Sequence, residues 1–232
     1  MVISIITIFG LIGVIFSVLT YFYSIKKTID LCKRKEKYSS LPAYTRVENL
    51  INYFVCSCWL VYSYLINDKY LLFSNLIGTA VFLFWIIFVF LIYSRHKRCF
   101  TYTIYIFLEI LFLPIIYFLF NLTPIYIAGN FCMIVYFLSF LSYFLNIKEV
   151  ITTRNHRLIN VWLYIVKMIA HLCWFIYGFI KINMNVVVPH VIGFIFVFIA
   201  LFFWNNYKKK SNSERLSNRS VDIMRNRAEF SI

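Results

Sequence analysis

The chain has 232 residues, of which 62% are hydrophobic and only 14% are charged, and its mean hydropathy is +0.79. Soluble globular domains are nearer half apolar and a quarter charged, so this composition excludes that class and favours an integral membrane protein. The formal net charge of +14 would suit a nucleic-acid-binding protein only if the basic residues were gathered into one patch.

Seven runs of mostly apolar residues follow one another along the chain, each of about 20 residues, which is enough to cross a hydrocarbon core of roughly 30 Å. Because backbone polar groups in lipid must be satisfied within the segment, each run predicts a transmembrane helix. Alternating strand patterns are absent, so the expected fold class is an all-α integral membrane protein. The predicted spans are residues 2–25, 47–67, 70–93, 100–120, 125–146, 158–180 and 186–207.

The basic residues are concentrated in the segments that follow the first, third, fifth and seventh spans. These segments hold 20 of the 23 Lys and Arg residues, whereas the alternate loops hold only Lys69 and Lys181, and Lys167 lies inside a span. This positive-inside bias predicts an external N-terminus and a cytoplasmic C-terminus. It also explains the net charge without a nucleic-acid partner. The expected location is the plasma membrane, with an internal membrane as the alternative.

A stretch of 21 residues that begins at Cys58 recurs without a gap from Cys173, 115 residues later. Both copies contain Cys-Trp-x-x-Tyr and end in glycine, and the same offset relates Tyr21 to Tyr136. Spans 1–3 and 5–7 therefore form two parallel repeats, and span 4 is the linker that lets both run in the same direction. The predicted 3+1+3 organisation comprises a first repeat at 1–95, a linker helix at 96–124, a second repeat at 125–207 and a disordered basic tail at 208–232.

Each repeat holds a tryptophan and a hydrogen-bonding side chain at one spacing: Trp59 and Asn75 are 16 residues apart, as are Trp174 and His190. An indole can cover the apolar face of a pyranose, while Asn75 and His190 offer donors and acceptors to its hydroxyls. A few such bonds predict a weak sugar site between the repeats, on the order of millimolar.

Two glycines follow the polar residues by three positions, where a small residue permits close helix packing; they are Gly78 and Gly193. The remaining tryptophans, Trp85, Trp162 and Trp204, have no counterpart in the other repeat. We expect them at the lipid interface, where tryptophan commonly anchors helices.

Ionisable residues inside the spans leave two interpretations open. Lys167, His171 and Trp174 are spaced i, i+4 and i+7 and therefore share one helix face. One interpretation pairs Lys167 with Glu109 and so ties span 4 to span 6. The other places Lys167, His171 and His190 in a polar cavity that favours an anionic or proton-coupled substrate, because histidine changes protonation near neutral pH.

The 3+1+3 plan, with Trp-x-x-Tyr in the second helix of each repeat and Asn-x-x-Gly in the third, resembles the SWEET sugar facilitators. In that family the Trp and Asn of each repeat line the central sugar pocket, which implies substrate contacts for Trp59, Asn75 and Trp174, with His190 at the second Asn position. Asp68 matches an acidic position near the outer gate. The resemblance implies passive, bidirectional, alternating-access transport of mono- or disaccharides, without cofactor or metal.

One departure from that family concerns proline. The family has a proline in the first and second helices of each repeat, whereas here Pro42 is the only candidate. This departure bears on how the inner gate hinges.

Two other functional classes compete with a carrier. A seven-helix cargo or signalling receptor of similar architecture would bind its ligand without net flux. A membrane enzyme is not supported, because the sequence lacks a nucleophile–base set, metal-ligand spacing and a phosphate loop. The expected partners are the small-molecule substrate and membrane lipids, and the sequence leaves a homo-oligomer open.

Overall fold

The computed structural model describes residues 2–34, 43–93, 99–153 and 160–229, and these ranges are helical apart from short turns. The helices are α1 (Val2–Arg34), α2 (Ala43–Leu65), α3 (Lys69–Tyr93), α4 (Cys99–Leu122), α5 (Ile125–Thr153), α6 (Val161–Ile180) and α7 (Met184–Glu229). The predicted order of seven helical spans is confirmed. Pro42 lies outside the described residues.

Five helices contain segments whose length and hydropathy suit a membrane span; these are Ile5–Lys26, Lys69–Phe88, Ile125–Leu145, Val161–Ile180 and Met184–Lys209. Within the described part of α4 the apolar segment is the shorter Ile110–Leu122. Helix α2 has a lower hydropathy because it carries polar residues such as Asn49, Ser57 and Ser63. All three are buried, so α2 turns its polar side chains into the protein rather than toward lipid.

The helix contacts repeat with the offset of the sequence. Within the repeats, α1 and α2 pack on α3 just as α5 and α6 pack on α7. Between the repeats, α1 packs on α6 and α2 on α5, so exchanging the two repeats reproduces the same set of contacts. Helix α4 packs against α2 and α3 and therefore lies on the side of the first repeat.

The turns that join the second and third helices of the repeats have the same backbone shape. Asn67 and Ile182 are 115 residues apart, and each has φ of 54°. Asparagine tolerates this left-handed region, whereas a β-branched residue is strained there. In the first repeat Asp68 caps α3 by accepting hydrogen bonds from the backbone N–H groups of Tyr70 and Leu71, both at 3.2 Å.

The C-terminal segment differs from its prediction. Helix α7 continues to Glu229, so the segment from Lys208 that we expected to be disordered is helical to that residue. Its composition is polar, but between Lys208 and Glu229 it contains neither proline nor glycine, the residues that most strongly end a helix.

The interfacial position predicted for Trp85 is wrong. This side chain is only 4% exposed and packs with Tyr53 and Phe82 in a cluster between α2 and α3. Trp162 is 70% exposed, and Trp204 is partly exposed with the Lys208 ammonium 4.5 Å from its ring centroid. Nearly every residue of α3 is apolar, so its sequence has no periodicity that would indicate which face is buried.

Candidate functional site

A cavity of about 110 Å³ lies between the two repeats. By the same measure one water molecule needs roughly 10–15 Å³, so the cavity has room for several waters or for a small solute. The described lining side chains come from α1, α2, α3, α5, α6 and α7. The wall includes six of the seven residues predicted for the site, namely Trp59, Asn75, Trp174, His190, Lys167 and His171.

The two predicted tryptophans are both buried in the cavity wall, but their N–H groups have different surroundings. Trp174 Nε1 donates a hydrogen bond to Ser17 Oγ at 2.8 Å, which joins α6 to α1. Among the described residues, none accepts a hydrogen bond from Trp59 Nε1. The residue 115 positions after Ser17 is Cys132, which belongs to the same core cluster as Trp59. A thiol is a weak acceptor, which accounts for the difference.

In the second repeat, the predicted His190 contacts both Trp174 and His171. The rings of His190 and Trp174 are nearly parallel, with an interplanar angle of 21° and centroids 6.2 Å apart. His190 Nδ1 lies 3.0 Å from His171 Nδ1, and the ring of Tyr136 lies 5.3 Å from that of His190. Four aromatic or heteroaromatic rings therefore meet on this side of the cavity.

In the first repeat, the positions equivalent to His171 and His190 hold Cys56 and Asn75. Asn75 Nδ2 donates to the backbone carbonyl of Leu71 at 2.7 Å, which fixes the orientation of the amide. A Cβ at Gly78 would lie 2.7 Å from Cys56 Sγ, and a Cβ at Gly193 would come closer still to the imidazole of His171 at the equivalent position. The predicted close packing at both glycines is confirmed.

Asp68 lies outside the cavity wall, in a contact between the repeats. Tyr177 Oη donates to both carboxylate oxygens of Asp68 at 2.7 Å, which joins α6 to the start of α3. Tyr62, the equivalent of Tyr177, accepts a hydrogen bond of 3.4 Å from Asn185 Nδ2 at the start of α7. Sequence reasoning missed both tyrosines as links between the repeats, although their recurrence in Cys-Trp-x-x-Tyr was the available signal.

Lys167 is in the cavity wall with its ammonium 4.6 Å from the centroid of the Tyr143 ring and 5.9 Å from that of Tyr164. An aromatic face attracts a cation, so these rings stabilise the charge within the membrane. The side chain of Glu109 lies outside the described residues, and the Lys167–Glu109 pair stays a prediction.

The cavity extends to one side of the tryptophan pair. Its wall continues to Ser24 in the C-terminal half of α1 and to Lys167, two turns before the tryptophan of α6. The link between Asp68 and Tyr177 lies on the opposite side. The repeats are thus joined at one end, and the space between them reaches toward the other.

The family model described as "Sugar efflux transporter for intercellular exchange" matches residues 7–98 and 126–212. These two segments cover more than half of the chain and coincide with the two three-helix repeats. The chain belongs to this family, that of the SWEET transporters. It is a family of sugar transporters rather than of enzymes.

Individual relatives of this SWEET-family chain agree along most of its length. It is 24% identical over 238 residues to "Bidirectional sugar transporter SWEET10" of Arabidopsis thaliana, which covers 94% of this chain and 80% of that protein. It is 27% identical over 225 residues to "Bidirectional sugar transporter NEC1" of Petunia hybrida, with 94% and 82% covered. A solved eukaryotic SWEET transporter superposes with a TM-score of 0.76 at 18% identity, over 89% of this chain and 98% of that one. This likeness confirms the predicted fold of seven transmembrane helices in two parallel repeats.

Proposed function

We propose that this SWEET-family protein is a sugar facilitator that carries mono- or disaccharides passively and in both directions. The observation that carries the proposal is the cavity between two pseudo-symmetric repeats, whose wall combines two buried indoles with Asn75 and His190. The printed names of the relatives, which describe bidirectional sugar transporters, support the same substrate class.

The cavity suits a sugar because it offers both apolar faces and separate hydrogen-bonding atoms. The indoles of Trp59 and Trp174 can cover the C–H faces of a pyranose, while the amide of Asn75 and the imidazole of His190 meet its hydroxyls. Each net hydrogen bond contributes only about 0.5–1.5 kcal/mol, so affinity on the order of millimolar is expected. Weak binding allows the sugar to leave after each cycle.

Alternating access follows from contacts that can be exchanged between the two ends of the cavity. In the described conformation Asp68 and Tyr177 hold the repeats together on one side. We infer that rocking of the repeats breaks this link while closing the opposite side. The basic residues that follow the first, third, fifth and seventh predicted spans favour an external N-terminus and a cytoplasmic C-terminus, with the plasma membrane as the location. Lipids surround the helices. Native mass spectrometry would test whether the protein associates into a homo-oligomer.

The test is uptake of radiolabelled sugars into sealed proteoliposomes. Trp59→Ala, Asn75→Ala and His190→Ala each remove a wall group, and we expect uptake at subsaturating sugar to fall about tenfold or more. Trp162→Ala is the matched control, because it deletes an indole that is 70% exposed and should retain uptake. Undiminished uptake in all three wall variants would contradict the proposed site. Binding without flux in the unaltered protein would favour a receptor.

A second candidate is a proton-coupled carrier of a small anionic solute. It is favoured by the placement of Lys167, His171 and His190 in one cavity wall. Uptake of a neutral sugar and of the corresponding sugar acid under an imposed pH gradient separates the two candidates. A facilitator accumulates neither against a gradient, whereas a coupled carrier accumulates the acid and loses this ability in His190→Asn.

A further inference from the structure

The second repeat differs from the first at two positions that contact each other. His171 on α6 and His190 on α7 replace the equivalents of Cys56 and Asn75. Both imidazoles are buried, both line the cavity, and their Nδ1 atoms lie 3.0 Å apart. The change from Asn75 to His190 is therefore accompanied by a change from Cys56 to His171, the residue that touches His190.

A hydrogen bond between two Nδ1 atoms restricts both rings. A neutral imidazole has one N–H and one lone pair, so one ring must donate from Nδ1 while the other accepts at Nδ1. The donating ring then has its lone pair at Nε2, and the accepting ring has its N–H at Nε2. The contact between His171 and His190 thus assigns opposite tautomers to the two rings. An isolated imidazole exchanges between its tautomers.

The two rings do not have equivalent surroundings. The edge of His171 that carries Nδ1, Cε1 and Nε2 lies against the backbone of α7, where a Cβ on Gly193 would be 2.7 Å from Nε2 and 2.8 Å from Nδ1. His190 is instead nearly parallel to the indole of Trp174, which is part of the proposed sugar wall. Both imidazoles line the cavity, but His190 is the one that lies beside the proposed sugar wall, and His171 contacts it from α6.

The first repeat needs no such partner. The amide of Asn75 carries a donor and an acceptor on one group, and its hydrogen bond to the carbonyl of Leu71 fixes which atom points which way. Cys56, at the position equivalent to His171, offers only a weakly hydrogen-bonding thiol. A histidine at the equivalent position lacks the hydrogen bond to the backbone carbonyl. Its neutral ring also has two tautomers, so a neighbouring group is needed to select one of them.

We propose that His171 is a positioning residue, which sets the tautomer and orientation of His190 so that one defined nitrogen of His190 faces a hydroxyl of the sugar. This inference rests on the proposed function. It makes specificity in the second repeat a property of two residues rather than one. The charged and titratable groups beside the pair are Lys167 on α6 and Tyr136 on α5.

The test is a double-mutant cycle of sugar uptake with the unaltered protein, His171→Cys, His190→Asn and the double variant. The double variant gives the second repeat the Cys and Asn that the first repeat has at these positions. We expect each single variant to raise KM about fivefold with little change in maximal rate, which is the loss of one hydrogen bond. In His190→Asn the new amide turns toward His171, and in His171→Cys the tautomer of His190 is no longer set. The double variant should return KM to within about twofold of the original.

A conservative variant separates positioning from packing. His171→Gln keeps an amide that can donate to or accept from His190 Nδ1, so its KM should stay near that of the unaltered protein. Nitrogen NMR of histidine-labelled protein should show one tautomer of His190 in the original chain and a mixture in His171→Cys. Additive effects of the two single variants, or equal KM in His171→Gln and His171→Cys, would overturn the proposal.

Failure of this inference is distinguishable from failure of the proposed function. Sugar binding to the unaltered protein, measured by quenching of tryptophan fluorescence, tests the function alone. If sugar binds and is transported but the cycle is additive, the positioning role is contradicted and the carrier function stands. If no sugar binds, both fall.

Discussion

The two repeats join each other through tyrosines of the same motif, but the two links differ in strength. Tyr177 donates to the carboxylate of Asp68 at 2.7 Å, whereas Tyr62 accepts a neutral amide hydrogen bond of 3.4 Å from Asn185. Hydrogen bonds to a charged group contribute about 1.5–3 kcal/mol, against about 0.5–1.5 kcal/mol for neutral ones. Both contacts between the repeats, which we call joints, are thus present, but the joint between Asp68 and Tyr177 is much stronger than the joint between Tyr62 and Asn185.

The cavity wall shows the same divergence. Ser17 accepts a hydrogen bond from Trp174, while the equivalent Cys132 leaves the N–H of Trp59 without an acceptor among the described residues. A two-fold arrangement of helices can therefore hold an asymmetric set of hydrogen bonds. Since a sugar is itself asymmetric, the divergence between repeats is where recognition can be selective.

The largest expected effect comes from breaking the stronger joint, between Asp68 and Tyr177. Tyr177→Phe removes the hydrogen bond to Asp68 and should shift the equilibrium toward opening on that side by roughly 10- to 100-fold. Asp68→Asn should act in the same direction, although it also weakens the cap of α3. The measurement is the alkylation rate of Cys56, which lines the cavity, by a membrane-impermeant thiol reagent added on the Asp68 side.

Two controls accompany this measurement. Cys58 is fully buried and outside the cavity wall, so its alkylation should not change. Tyr62→Phe removes the weaker joint and should raise the Cys56 rate by less than about tenfold. Equal rates in Tyr62→Phe and Tyr177→Phe would show that the two joints do not differ in strength.

A smaller effect distinguishes the two indoles. Trp59→Phe deletes a buried N–H that has no acceptor among the described residues, so we expect the free energy of unfolding to be preserved. Trp174→Phe loses its bond to Ser17, which should lower the free energy of unfolding by about 1 kcal/mol. Both variants lose part of the ring that covers the sugar, so KM should rise by a similar factor in the two. Uptake kinetics and thermal unfolding in detergent measure both quantities, and Ser17→Ala should reproduce the stability loss of Trp174→Phe.

The variant Cys132→Ser sharpens this comparison, because it places a hydroxyl at the position equivalent to Ser17. If that hydroxyl accepts the buried N–H of Trp59, the free energy of unfolding should rise by about 0.5–1.5 kcal/mol, and Trp59→Phe in the Cys132→Ser background should lose that gain. An unchanged free energy of unfolding in Cys132→Ser would mean that the new hydroxyl does not reach the indole.

The smallest effect concerns the two equivalent turns. Ile182→Asn relieves a β-branched residue at positive φ and should raise the free energy of unfolding by about 1 kcal/mol, while Asn67→Ile should lower it by a similar amount. Neither residue is in the cavity wall, so KM should be unchanged in both. Thermal unfolding in detergent is the measurement, and a loss of stability in Ile182→Asn would contradict the strain.

Sequence alone predicted the number and order of the helices, and the 115-residue offset brought four of the site residues into one cavity. The offset works because a residue and its counterpart must occupy equivalent places if the repeats fold alike. It could not place Trp85, since α3 is apolar on every face. It also could not show that Asp68 accepts a hydrogen bond from Tyr177. Asp68 belongs to the first repeat and Tyr177 to the second, and the offset relates equivalent residues rather than contacts between the repeats.

Helix α7 extends 22 residues beyond Tyr207 to Glu229, a length of roughly 33 Å at about 1.5 Å per residue. Because α7 is the third helix of the second repeat, this extension moves with that repeat. A change in tilt of about 10° displaces its far end by roughly 6 Å, given that length. The end of the C-terminal helix therefore amplifies the motion of the second repeat. With one label at that end and another on the first repeat, the transport cycle should appear as a change in the distance between the two labels.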